Sequence, residues 1–453
     1  MTRREALTLF AGATAGKLFA QSRPDGFRAY SESPRLLLRP ARLRLLRRER
    51  ERQSLRWEQF ERLWSGNAPF PELGWVAALR YQIAQDDAAG KAAVSWGLRP
   101  SANDVRQIAL ICDWCSALID KSDQPRLFGK LRAAATGPAP ATLAQARDMA
   151  MAAVVLSESQ PDVAEKTLRT IFDTFWTGSF IPSIREARVR VPNAEAYAMM
   201  ELLHTFRDNL NFDLRETFPE WFRDYPLIHV LAHYPAPWPA SENEFRIPAD
   251  REIQSKGPDL TKATLSRAAE LAMVAFDANS GGTQLVQGFL MNDRFVMRGS
   301  YGIPYEFLWA NPYQPGLSYY HVPLAQHDEI GGQLFVRSTW EDDASWVGYF
   351  EGRLQLFSQG VVKAVDPRVA HEPMDIEEAT VFFAKDANRF KVPKRDNDEA
   401  VDDVFVVGLD PHRNYHVEVD GEEMVEDQAD PGGILFLPAV PAGVQVRLGP
   451  ASY

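Results

Sequence analysis

Cysteine is nearly absent: two occur in 453 residues, Cys112 and Cys115, within "ICDWC". A disulfide framework is therefore excluded as the source of stability, and no second pair exists to complete a four-ligand zinc site. The spacing matches a redox C-x-x-C, yet "VRQIALICDWCSALID" has a helical period that turns both thiols toward a core. Glycine-rich phosphate loops and dinucleotide fingerprints are also lacking, which argues against a nucleotide cofactor; no other cofactor is named by the sequence. Excess positive charge is missing as well. The formal net charge is -11, so bulk electrostatics oppose nucleic acid, and an acidic substrate would need a locally basic cleft. Beyond the N-terminus no apolar run reaches the ~20 residues that span a bilayer.

What is present is ordinary globular composition, 45% hydrophobic and 25% charged. At ~150 residues per domain the length suggests two or three domains with a sizeable core. The opening "MTRREALTLFAGATAGKLFAQS" carries the pair Arg3–Arg4 and an apolar stretch from Ala6 to Ala20, broken by Lys17. This pattern predicts a twin-arginine export signal over 1–20, removed from the mature chain, and a periplasmic or secreted location.

"SPRLLLRPARLRLLRRERERQSLRWEQFERLW" (Ser33 to Trp64) is arginine-rich, but glutamates interleave and leucines recur at helical spacing, so it reads as a solvated amphipathic helix with Pro40 in its first turn. From about Glu72 to Asn292 one amphipathic helix follows another, with short breaks such as "TGPAP". Consecutive helices of this kind form antiparallel hairpins that stack or close into a toroid. The Pro- and aromatic-rich segment from Tyr225 to Pro248 is expected to be a structured loop. After about Arg294 the period changes to short β-prone runs, among them "QLFVRSTW", "SWVGYFEG" and "DVFVVGLD", with an Asp-Gly turn in "VEVDGEEMVED". The fold class expected is α+β multidomain: an α/α toroid over 21–293, then an antiparallel β-sandwich over 294–453.

This order, with "SPRLLLRPARLRLLRR", "LRYQIAQDDAAGKAA", "IALICDWCSALIDKSDQPRLFGKLR" and "LFVRSTWEDDASWVGYFEG", resembles the heparinase II/III and alginate lyase type of polysaccharide lyase. The resemblance implies β-elimination of a uronic-acid polysaccharide, in which a tyrosine or histidine moves the proton and a polar group neutralises the sugar carboxylate. The helix "NAEAYAMMELLHTF" is similar to the family segment that presents the catalytic tyrosine, which points to Tyr197, with His204 two turns along and Glu195 or Glu201 on the same face. The family's asparagine near the start of an earlier inner helix is missing from "ATLAQARDMAMAAVV"; Gln145 and Arg147 are the polar groups there. The histidine expected after the tryptophan strands is missing too, since none follows until His371.

Further substrate-binding candidates are Arg246 in "ENEFRIP", a planar clamp for a carboxylate, and His233 and Tyr234 in "IHVLAHYP". His229 and His233 have the i, i+4 spacing of a metal pair, but no adjacent glutamate completes H-E-x-x-H, so no metal is assigned. Trp309 and Tyr313 lie in the densest aromatic segment, where rings can stack on sugars. The expected partner is an acidic polysaccharide or another glycan. A non-catalytic glycan-binding relative is one alternative; a glycoside hydrolase using carboxylates such as Glu195 and Asp213 is another.

Overall fold

The computed structural model describes the chain except residues 1–25, 30–31, 241–243, 254–256, 294, 319–321, 370–371, 377–378, 385–387, 396–399, 423 and 452–453. The expected export signal lies outside the described residues. Among those that are described, no helix is long and apolar enough to cross a membrane.

The helical part begins as its capping signals dictate. Pro40 opens the helix Pro40–Glu51, where its missing N–H costs nothing. The arginine-rich segment is two helices rather than one. Ser54 interrupts it, accepting from the Trp57 N–H at 3.3 Å and starting Leu55–Ser65. Three later helices form the centre. Asn193–Leu210 packs between Leu143–Leu156 and Leu260–Phe276, and all three are buried on nearly every face, as expected for helices apolar all round. The cysteines follow the core expectation: both are free and buried. Burial pushes the Cys115 thiol up to about 12, and Cys112 higher still.

Two boundaries differ from the sequence reading. Pro219–Leu231 is a helix despite Pro226, so the expected loop starts only after Leu231. Ile303–Trp309 is also helical, and Tyr305, Phe307, Leu308 and Trp309 join the helical core. The change to strands therefore comes after Trp309 and not at 294, because aromatic residues bury as well on a helix as on a strand.

Among the described residues, Trp238–Pro239 and Glu244–Phe245 pair as a small ribbon, and the later strands form three stacked sheets. The first is an antiparallel meander of five: Ala325–Asp328, Gln333–Arg337, Trp346–Phe350, Arg353–Ser358 and Val361–Val365. Its tight turns are Glu351-Gly352 and Gln359-Gly360, all four residues at positive φ. A glycine at the second position of such a turn accepts that conformation without steric cost. The second sheet runs Ile434–Pro441, Val401–Val407, Ala379–Phe383, Met374–Ile376. Its central pair is parallel, which corrects the all-antiparallel expectation. The third sheet runs Arg389–Lys391, Gln445–Pro450, Asn414–Val419, Val425–Gln428.

The middle sheet is buried on both faces. Phe405 and Val407 face the first sheet while Val404 and Val406 face the third. This is why "VFVV" reads as a continuous apolar run instead of alternating. The first sheet also covers the helices. Phe335, Trp346 and Phe350 pack on Leu227, Ile228 and Leu231, and Trp346 Nε1 donates to the Leu231 carbonyl oxygen at 2.8 Å. The architecture is α+β: a helical layer and three sheets in sequence.

Candidate functional site

A cavity of about 720 Å³ opens where the start of Asn193–Leu210, the 232–262 segment and the first sheet's turns meet, within the size range of small-ligand sites. Each wall has a local cause. Pro192 precedes the helix with extended backbone and sets Asn193 as its first residue. Asn193 Nδ2 donates to the His229 carbonyl oxygen at 2.9 Å, and its Oδ1 accepts from Arg190 at 3.4 Å. Arg190 also donates to the Ala249 carbonyl oxygen at 3.2 Å and lies 4.4 Å over the Phe350 ring. Burial holds its pKa below the ordinary value. It makes no ion pair among the described residues.

The acids of the cavity divide into two environments. Asp250 is half-buried, which raises its carboxyl. The Lys262 ammonium and the Arg251 N–H outweigh that and hold it below the ordinary range. The Glu195 side chain has no hydrogen-bond partner among the described residues, its backbone N–H alone donating to the Pro192 carbonyl oxygen. Desolvation raises its carboxyl, Lys262 and Arg251 oppose the shift, and the Asp250 charge adds to it, so the net direction is upward. Its side chain is open to solvent at the mouth, so the displacement is screened. Glu351, carried on the first sheet's turn, pairs with Arg251. In all, three cationic and five acidic side chains line the cavity. The lip carries Trp238, 46% exposed.

Of the residues expected from sequence, two line this cavity: the alternative carboxylate Glu195 and, from the loop, Tyr234. Its hydroxyl donates to Gln355 Oε1 at 2.8 Å, and burial pushes its pKa up to about 12. Tyr197 is 2% exposed and away from the cavity. Its hydroxyl accepts from Trp309 Nε1 at 2.9 Å and from Arg106 at 3.4 Å. Arg106 is bidentate to the buried Glu201, which also takes Arg147 at 3.1 Å. Burial, then the Glu201 charge, drives the Tyr197 pKa well above its ordinary value, the wrong direction for a base. Trp309 is buried within the same network. Glu201 does share a helical face with Tyr197, as the spacing implied, but that face is the interior.

The other candidates also have structural occupations. His204 is wedged against Trp309 and Phe276, with Asp208 at 3.2 Å, and burial keeps its pKa low. Gln145 Oε1 accepts from the Ala141 N–H at 2.8 Å and caps its helix with Thr142. Arg246 is held by Asp293 and Asp342, each at 3.0 Å. Tyr313 is exposed and bonds to Glu49 at 2.7 Å. Asp213 accepts from Arg215 at 2.8 Å and from the Arg215 N–H.

Sequence reasoning missed Arg190, Asn193 and Asp250. Asn193 stood at the head of the helix already singled out. His233 is buried, and Glu270 from Leu260–Phe276 closes on it and His229. These three offer ligand atoms within 4.8 Å of one another. Seeking a glutamate only inside the local motif overlooked Glu270, 37 residues beyond His233.

No protein-family model matches this chain, and no curated protein matches it. Among solved structures it is similar to one described as "Glycoside hydrolase", at 9% identity and a TM-score of 0.30, covering 94% of this chain and 77% of that one. A likeness this distant supports no assignment.

Proposed function

We propose that this chain is an exported glycan-processing protein that hydrolyses glycosidic bonds in the cavity at the start of Asn193–Leu210. Glu195 is the general acid and Asp250 the ionised carboxylate that works opposite it. The observation that carries this reading is that two carboxyls in different surroundings line the same cavity, Glu195 without a side-chain hydrogen bond among the described residues and Asp250 held by Lys262 and the Arg251 N–H. Divergent carboxyl environments are how one site supplies both an acid and a base. Trp238 at the lip offers a ring face for a sugar. The acidic majority of the lining favours a neutral or amino sugar over a polyuronate. The closed toroid belongs to this proposal too; pairing of consecutive helices such as Leu73–Ala84 with Asp87–Gly97 supports it.

A second reading keeps β-elimination and is favoured by one feature: Arg190, a buried cation without an ion pair among the described residues, beside Asn193 in the cavity lining. Together they could neutralise a sugar carboxylate. The test is a panel of neutral, amino and uronate polysaccharides, read for new reducing ends and for the ultraviolet absorbance of an unsaturated uronate. Reducing ends without that absorbance support hydrolysis. Absorbance on a polyuronate, lost in Arg190→Gln, replaces it with elimination.

A further inference from the structure

Behind the cavity wall lies a cluster that glycan chemistry does not use. His229 is on Pro219–Leu231 and His233 just beyond its end. They face Ser266 and Glu270, one turn apart on Leu260–Phe276. All four side chains are buried. Ser266 Oγ lies 3.0 Å from His233 Nε2 and 3.2 Å from His229 Nε2. Glu270 Oε1 lies 3.4 Å and 3.6 Å from the same two nitrogens.

Counting hydrogens shows what this arrangement lacks. His233 Nδ1 is 3.2 Å from the Val230 carbonyl oxygen, which can only accept, so Nδ1 carries the ring hydrogen and Nε2 is bare. Ser266 has one hydrogen for two imidazoles. Glu270 brings acceptors only, and its Oε2 is taken by Arg267 at 3.1 Å. His229 Nδ1 has no hydrogen-bond partner among the described residues, so the protein leaves that tautomer open. A carboxylate oxygen and a ring nitrogen facing each other in a dry interior need a positive centre between them, either the hydrogen of an N–H or a metal ion.

Distance separates these two candidates. A hydrogen bond to a carboxylate closes to about 2.7–2.9 Å. Tetrahedral zinc, with bonds of about 2.0–2.2 Å, holds its donor atoms roughly 3.3–3.6 Å apart. The observed 3.4 and 3.6 Å fit the second. We propose that His229, His233 and Glu270 bind one zinc-class divalent cation. Two imidazoles with a carboxylate suit zinc, and the Val230 carbonyl orients His233 as outer partners of metal-bound histidines do. The ion clips the two helices together. It also braces the cavity, because Asn193 is bonded to the His229 carbonyl and Tyr234 follows His233. This inference stands whether the cavity hydrolyses, eliminates or only binds.

The experiment uses the full chain made without an affinity tag, treated with chelator, dialysed and titrated with Co²⁺. The expected result is one equivalent bound with a visible band of tetrahedral intensity, displaced by one equivalent of Zn²⁺. The band is expected to vanish in His233→Ala and Glu270→Gln and to persist in His412→Ala, at an exposed turn. Circular dichroism verifies that each variant is folded. If the buried variants unfold, X-ray absorption of the zinc-loaded wild type decides: two imidazole nitrogens plus oxygens support the site. A folded wild type that takes up no equimolar ion overturns it in favour of a proton on His229. Binding that persists in folded His233→Ala, or a ligand set without two imidazoles, overturns it as well.

Discussion

Glu195 and Glu201 sit on one helix and lead opposite lives. Glu201 is wholly buried and answered by two guanidiniums, Arg106 and Arg147. Glu195, near the helix start, faces a cavity, and its side chain has no hydrogen-bond partner among the described residues. Tyr197 and Tyr234 repeat the contrast: one phenol is locked in the interior network, the other stands on the cavity wall. The comparison teaches that residue type on a helix does not locate chemistry. A fully satisfied polar network specifies a fold, whereas an incompletely satisfied group open to solvent is free to meet a substrate.

The sharpest way to break this contrast is Glu195→Gln. On the hydrolysis reading it lowers kcat by about 10²–10⁴-fold while stability shifts by no more than ~0.5 kcal/mol; reducing-end assays and urea unfolding measure the two. Glu201→Ala should do the reverse. It leaves two buried guanidiniums unanswered and is expected to cost about 3–5 kcal/mol of stability, read by the same urea titration.

A pH–rate profile sharpens the comparison further. Activity requires Asp250 ionised and Glu195 protonated. Asp250 sits below its ordinary 3.8 and Glu195 above its ordinary 4.5. Activity should therefore rise as pH climbs through the depressed value and fall through the raised one, giving an acidic bell. Lys262→Ala removes the group that holds Asp250 down and should move the acid limb upward. The smallest effect is expected at Tyr313. It is 54% exposed, and Tyr313→Ala should change stability by less than about 1 kcal/mol and leave glycan binding unaltered in a pull-down on insoluble polysaccharide.

Much of the fold was legible in the sequence because it rests on local rules. Pro40 marks a helix start and Asp420-Gly421 a hairpin, whereas the break at Ser54 went unread. "VFVV" announced a strand but not that both its faces are covered or that it pairs in parallel with Ala379–Phe383, since those depend on distant partners. The helical identity of Ile303–Trp309 was hidden because its aromatic residues suit strands equally. The site was less legible. The resemblance pointed to Tyr197 and helical spacing added His204, without revealing which end of Asn193–Leu210 meets a cavity. Asp250 owes its environment to Lys262 and Glu351 to Arg251, pairings made by the loop's path. The His229–His233 spacing was visible; Glu270 became its partner only through packing of the next helix.

The most direct test of the account compares turnover of Glu195→Gln and Tyr197→Phe on whichever polysaccharide the wild type degrades. The account predicts that Glu195→Gln is nearly inactive and folded, while Tyr197→Phe keeps wild-type turnover. Full turnover by Glu195→Gln, with activity lost in folded Tyr197→Phe, would contradict it.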